Sequence, residues 1–175
     1  GRGNGITIGD ILTEDSQEAL MTTYEVEPEW ILRVCTIARK IPVTIIHGQS
    51  PSPVSPPSFE QFSMKRASVS MSYGIHHAKL FLVFLPGGIL RVAVTTANLL
   101  SIDWERKTQG TWFQEFPLKG PDHVSAHSCD FENTLRDYVS RVAGKSASDR
   151  VAAYDFRQSN AILVSSVPGW HSGAS

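Results

Sequence analysis

From His76 to Val94 the chain reads HHAKLFLVFLPGGILRVAV, two apolar runs joined by Pro-Gly-Gly, with two histidines and a lysine at the open end. A strand that is apolar on both faces needs cover on both faces, which restricts the fold to a sheet with layers packed above and below it. The lysine sharpens the problem. Burying an unpaired ammonium costs about 3–5 kcal/mol even after relaxation, so Lys79 needs a partner or an anion to hold.

The rest of the chain supplies the layers. Residues 6–12 read as a short strand or a turn of helix. Residues 29–38 (EWILRVCTIA) repeat apolar residues at helical spacing behind Pro28. Pro42 to His47 is a β-branched strand stopped by Gly48. Residues 49–58, QSPSPVSPPS, hold four prolines and four serines and read as a loop. Further strands are expected at 68–73, 77–85, 90–96 and 110–116, and a buried one at 161–167. Phe131, Leu135, Tyr138, Val139 and Val142 mark an amphipathic helix from Cys129 or Asp130 to Val142, closed by Gly144 and SASD. The expectation is an α/β layered domain without internal repeats.

With 175 residues, 41% hydrophobic and 19% charged, the chain has the composition of one ordinary globular domain. No apolar run approaches the ~20 residues that span a bilayer, and no signal peptide opens the sequence. Cys35 and Cys129 lack C-x-x-C spacing and read as buried free thiols of an intracellular protein, in cytosol or nucleus. The net charge of −1 conceals a division: residues 1–60 carry −4, residues 61–119 carry +4 and residues 120–175 carry −1. The basic third contains the opening motif and would steer an anionic partner there.

Alternation along a strand puts His77 and Lys79 on one face. If Gly87-Gly88 is a two-residue hairpin loop, Lys79 faces Thr96 and His77 faces Asn98, with Phe81, Val83, Val92 and Val94 continuing inward. Imidazole, ammonium and carboxamide together suit a phosphodiester. Lys79 and Asn98 can orient the nonbridging oxygens, and a neutral His77 can attack phosphorus to give a phosphohistidine that water later breaks. His76 points to the other face, lacks a partner there and reads as structural. His123 and His127 near Cys129 have no paired ligand half and sit among turn residues, which argues against a metal site. No P-loop, dinucleotide fingerprint or G-x-S-x-G elbow is present.

HHAKLFL, followed nineteen residues after Lys79 by the Asn98 of TAN, is an H-x-K…N arrangement and resembles the phospholipase D superfamily. YGIHHAK with TTANLLSIDWERKTQGTWF narrows the resemblance to the tyrosyl-DNA phosphodiesterase family, and ITIGDIL, PVTIIHG and ILVSSVPGWHSG extend it across most of the chain. As in that family, no aspartate follows Lys79 within the strand. The resemblance implies a mixed β-sheet sandwiched between helices, one phospholipase D-like half-domain. It also implies a nuclear DNA-repair hydrolase that cleaves 3′-phosphotyrosyl bonds left by a stalled topoisomerase, trims other 3′ adducts and needs no metal. By motif position, His77 would be the nucleophile and Lys79 and Asn98 would bind the phosphate. Tyr73 would stack a base of single-stranded or 3′-end DNA, and Gln109 would orient a second catalytic histidine. That histidine belongs to a second H-x-K…N motif and serves as general acid. His123, His127 and His171 follow Asn98 here, and none begins an H-x-K. Residues 1–175 are therefore expected to form one half-domain with the first motif only, completed by a C-terminal half or a second copy of the chain. The competing expectation is a lapsed half-domain that binds nucleic acid or protein.

Overall fold

The computed structural model describes residues 5–50, 61–68, 74–121 and 129–166. A short helix α1 (Ile8–Ile11) leads into strand β1 (Glu18–Thr23), then helix α2 (Pro28–Val34), with Pro28 in its first turn and a 3-10 turn at Thr36–Arg39 behind it. Strands β2 (Val43–His47) and β3 (Phe62–Arg66) follow, then β4 (Leu80–Leu85), β5 (Ile89–Thr95), helix α3 (Ser101–Glu105) and β6 (Thr111–Pro117). Helices α4 (Asp130–Ala143) and α5 (Lys145–Val151) complete the set.

The six strands form one mixed sheet in the order β3-β2-β1-β4-β5-β6. Strands β1, β2 and β3 run parallel, and β4, β5 and β6 are added antiparallel. The side chains alternate between two cores. Phe81, Val83, Leu85 and Ala93 pack with Ile8 and Ile11 of α1 and Ile31 and Leu32 of α2. Leu80, Leu82, Leu90 and Val92 pack with Phe131, Leu135 and Val139 of α4 and Val151 of α5. Helices on both faces explain why β4 and β5 have almost no polar side. Besides Thr95 at the end of β5, the exception is Arg91, whose guanidinium donates to the carbonyls of Asp10 and Ile11 and pairs with Glu115.

Four expectations need correction. The β4–β5 hairpin pairs Leu85 with Ile89 and Leu80 with Val94, one residue out of the expected register. The connection is three residues long, with Gly87 and Gly88 both at positive φ (73° and 71°) that glycine alone adopts without strain. A one-residue shift exchanges the faces. Val92 and Val94 therefore lie on the α4 side, and Thr95 is opposite Lys79, its N–H donating to the Lys79 carbonyl at 3.2 Å. Second, β4 begins at Leu80 rather than His77. The Thr22 hydroxyl of β1 accepts from the Leu80 N–H at 2.9 Å and donates to the Ala78 carbonyl at 3.1 Å, intercepting the ladder there.

Third, Phe62–Arg66, where no element was expected, is strand β3 and pairs in register with β2; of the strand expected at 68–73, Ser68 is outside any strand and residues 69–73 lie outside the described residues. Fourth, residues 161–166 form no strand, and Ile162 and Val164 are 90% and 87% exposed. The chain ahead of them is held by β6 side chains instead of by its backbone: Gln114 donates to the Gln158 carbonyl and accepts from the Asn160 N–H, and Trp112 donates to Asn160 Oδ1. Beyond Gly144, at φ 94°, the SASD stretch continues as α5. Residues 51–58 of the Pro/Ser stretch lie outside the described residues.

Candidate active site

The site forms where four chain segments meet at one end of the sheet: the residues after β1, those before β4, those after β5, and α3. Gly48, just after β2, lets them meet. A Cβ there would lie 2.2 Å from the His76 carbonyl oxygen, so glycine lets the 74–77 segment cross the end of β2.

His76 and His77 then diverge as strand alternation requires. His76 is buried at 1% exposure, and its Nε2 is 2.9 Å from the Tyr138 hydroxyl of α4. That hydroxyl is also 3.0 Å from Thr22 Oγ1, so a buried network ties the histidine pair to both β1 and α4. The expectation that His76 is structural and faces away from His77 agrees with this placement; it does, however, have a partner. Burial holds the His76 imidazole below its usual range and pushes the Tyr138 phenol up to about 12.

His77 is exposed, and its ring lies against Tyr24, with centroids 5.1 Å apart and planes inclined at 30°. Lys79 is buried at 7% exposure, and its Nζ lies 2.7 Å from Nδ1 and 3.3 Å from Nε2 of His77. An ammonium only donates, so the imidazole must offer a lone pair and be neutral. Desolvation and then the Lys79 charge hold His77 below its ordinary value, against the opposing pull of Glu25. Desolvation also lowers Lys79, and the carboxylates of Asp103 and Glu25 oppose it. Lys79 is thus a buried cation balanced by two nearby carboxylates, with its head turned to the histidine.

Asn98 arrives by a different route from the one expected. It does not sit across a ladder from His77 but in the turn beyond β5, fastened to the residues that follow β1. Its Oδ1 accepts from the Glu25 N–H at 3.3 Å, and the neighbouring Leu99 bridges to Val26. The motif DWERKTQG is the fastening. Asp103, buried at 3%, accepts from both the Asn98 N–H (2.9 Å) and its Nδ2 (3.0 Å), while Lys107 donates to its other oxygen at 2.7 Å. The Trp104 indole donates to the Asn98 carbonyl at 2.8 Å. Gln109 accepts from the Thr96 hydroxyl, and Gly110 and Thr96 exchange two further hydrogen bonds. Among the described residues the Gln109 carboxamide nitrogen has no hydrogen-bond partner, and Gln109 lines a depression with Asp103, Trp104 and Lys107 separate from the one beside His77.

A cavity of about 370 Å³ opens beside His77 and Lys79 and is bounded by Thr96, Tyr138, Val164 and Ser165. The 161–166 segment, expected as core, is therefore a wall of the site. Tyr73, His123, His127 and His171 lie outside the described residues. Among the described residues no cluster of three or more histidine, cysteine or acidic side chains could hold a metal. Cys35 is a buried free thiol raised by burial to about 12, and Cys129 is free and donates to the Phe156 carbonyl. No helix among the described residues is long and apolar enough to cross a membrane.

The family model described as tyrosyl-DNA phosphodiesterase matches residues 1–175. This chain belongs to that family. It is 30% identical to tyrosyl-DNA phosphodiesterase 1 of Arabidopsis thaliana over 96% of its own length and 30% of the relative's. It is 25% identical to the Drosophila melanogaster protein of the same name over 95% of its length and 31% of that protein's. The chain thus spans about a third of the curated relatives it matches. Among solved structures, yeast tyrosyl-DNA phosphodiesterase superposes with a TM-score of 0.72 at 16% identity, covering 87% of this chain and 39% of that one. This likeness shows the fold alone, a mixed α/β sheet flanked by helices.

Tyr24, Glu25 and Asp103 are not marked out by the sequence, and Gly48 is marked only as the end of a strand. Asp103 lies inside the quoted motif, where its spacing of five from Asn98 was the available signal. Tyr24 and Glu25 follow a strand with no counterpart among those expected.

Proposed function

We propose that this chain carries the nucleophile and part of the phosphate site of a phosphodiesterase acting on 3′-phosphotyrosyl DNA, in nuclear repair of topoisomerase adducts. The observation that carries the reading is the contact between the Lys79 ammonium and the neutral ring of His77. A phosphodiester brings oxygens that Lys79 binds more strongly than it binds an imidazole, because the hydrogen bond then joins opposite charges. The ammonium turns to the phosphate, and the lone pair it held becomes free for phosphorus.

In the first step a His77 nitrogen forms a bond to phosphorus as the bond to the tyrosyl oxygen breaks. A phenol has a pKa of about 10, so the leaving group departs with modest help from an acid. The DNA strand remains on His77 as a phosphohistidine. Water then attacks phosphorus, the N–P bond breaks, and a base takes the proton to leave a 3′-phosphate. Lys79 and Asn98 donate to the nonbridging oxygens in both steps. Tyr73 is assigned to base stacking, which is sequence-tolerant and worth about 1–3 kcal/mol per base.

The acid and base come from a second H-x-K…N motif, on a further half-domain or a second copy of this chain. Gln109, with its amide nitrogen available, is assigned to the histidine of that motif. Residues 1–175 in this account form one half-domain. The exposed Val164 at the cavity wall and the exposed Ile162 two residues before it favour an apolar partner surface there.

The test uses a single-stranded oligonucleotide ending in 3′-phosphotyrosine, incubated with wild type and His77→Ala and resolved on a denaturing gel. Cleavage by the wild type that is lost in the variant supports the reading. Equal binding by both proteins with no chemistry from either favours a binding module instead.

A further inference from the structure

Asn98 could present either of two faces to an anion, and only one of them helps. Its amide nitrogen donates, whereas its oxygen would repel a phosphate. The partners around it settle which face is shown. Asp103 is a carboxylate and can only accept; the Glu25 backbone N–H can only donate. Nδ2 is 3.0 Å from Asp103 Oδ2, and Oδ1 is 3.3 Å from the Glu25 nitrogen. The reversed amide would set NH2 against N–H and oxygen against carboxylate. One Nδ2 hydrogen is used by Asp103, which leaves the second for a further acceptor.

We propose that Asp103 is a positioning residue that locks the Asn98 carboxamide with its donor toward the phosphate and excludes the flipped, repulsive form. This rests on the reading of Asn98 as a phosphate donor. Asp103 is suited to the task because it is itself fixed, buried at 3%, pinned by the Asn98 backbone N–H at 2.9 Å and by Lys107 at 2.7 Å. Hydrogen bonding from Lys107 and from Asn98 outweighs burial and holds its carboxyl below the usual range, so it stays an acceptor through the neutral range. Trp104 closes the same turn through the Asn98 carbonyl.

The experiment measures binding of a single-stranded oligonucleotide bearing a 3′-phosphate, by fluorescence anisotropy, for wild type, Asn98→Ala, Asp103→Ala, Asp103→Asn and the Asn98→Ala/Asp103→Ala double variant, with a 3′-hydroxyl oligonucleotide as reference. Thermal melting reports the folded fraction in each case. The expected result is a loss of about tenfold in preference for the 3′-phosphate in both single alanine variants, and no further loss in the double variant. Asp103→Asn keeps an acceptor oxygen and is expected to recover most of that preference. A purely structural role for Asp103 would lower the melting temperature without changing the preference of the folded protein. The proposal is overturned if Asn98→Ala loses the preference while folded Asp103→Ala keeps it, or if the two losses simply add. If Asp103→Ala does not fold, an Asp103→Asn variant with the unaided preference of Asn98→Ala overturns it. A folded Asn98→Ala that binds like wild type removes the phosphate-donor reading itself, and the inference with it.

Discussion

The Lys79 ammonium lies 2.7 Å from Nδ1 of His77, and its own carbonyl accepts from the Thr95 N–H at 3.2 Å. Backbone pairing therefore fixes where the lysine starts, and the histidine is where its head rests. The pair is two residues apart on one face, as strand alternation dictates, even though neither residue belongs to the β4 ladder.

This contact sets the pH dependence. In the proposed reaction His77 is neutral and Lys79 charged. His77 is shifted below 6.5, so kcat/KM should climb as pH rises through a value below 6.5 and be level at neutrality. Lys79 is shifted below 10.5, so a second fall is expected on the alkaline side, beginning earlier than a free lysine would give. Lys79→Arg, which stays charged, should lose the alkaline limb while keeping the acid one. A pH–rate profile of each protein checks both limbs.

The His76–Tyr138 contact should be read through stability. His76 is buried neutral with a lowered pKa, so the stability it provides is present above its unfolded value of about 6.5 and is lost as pH falls through that value toward the folded one. His76→Phe should flatten that part of the stability curve. Tyr138→Phe deletes the hydroxyl shared by His76 and Thr22 and should cost about 1–3 kcal/mol, because buried polar atoms are left unpaired. Urea titrations at pH 5.5 and 7.5 measure both effects.

At Gly48 the constraint is steric. Alanine there would place a Cβ 2.2 Å from the His76 carbonyl oxygen, a backbone atom that cannot turn aside. Gly48→Ala is expected to cost about 1–3 kcal/mol of stability as an overpacked site. It should also displace His77, so catalysis by the folded protein should fall as well. Gly87→Ala serves as the comparison, since it meets steric strain at positive φ in an exposed turn far from the site and should lower stability only. Melting curves with initial rates on the folded fraction separate the two.

The layered α/β fold was legible because β4 and β5 are apolar on both faces and α4 repeats at helical spacing. Strand β1 was not, because Glu18, Ala19 and Met21 have little intrinsic preference for strands; its central place in the sheet comes from its neighbours on both sides. The hairpin register depended on whether two or three residues make the turn, and a run of Pro-Gly-Gly allows either. The triad of His77, Lys79 and Asn98 was named from residue type and motif, but the geometry that joins Asn98 to the others passes through Glu25 and Asp103. Those hydrogen bonds link residues 73 positions apart as well as five apart, and no local pattern contains the longer link. The run at 161–166 has the composition of a core strand, yet Ile162 and Val164 are exposed while Leu163 packs on the α4 core and lines the cavity, a case where burial is decided by the partner and not by the side chain.

The central claim is that His77 attacks phosphorus, and the direct measurement is covalent trapping. Wild type and His77→Ala are mixed with a 3′-phosphotyrosyl oligonucleotide, quenched in alkaline denaturant to preserve an N–P bond, and weighed intact. The account predicts wild-type protein heavier by the phosphorylated strand, free tyrosine in equal amount to the strand transferred, and the modification on His77, with none of these in His77→Ala. An adduct that survives His77→Ala, or its absence in a folded wild type that binds the DNA, would contradict it.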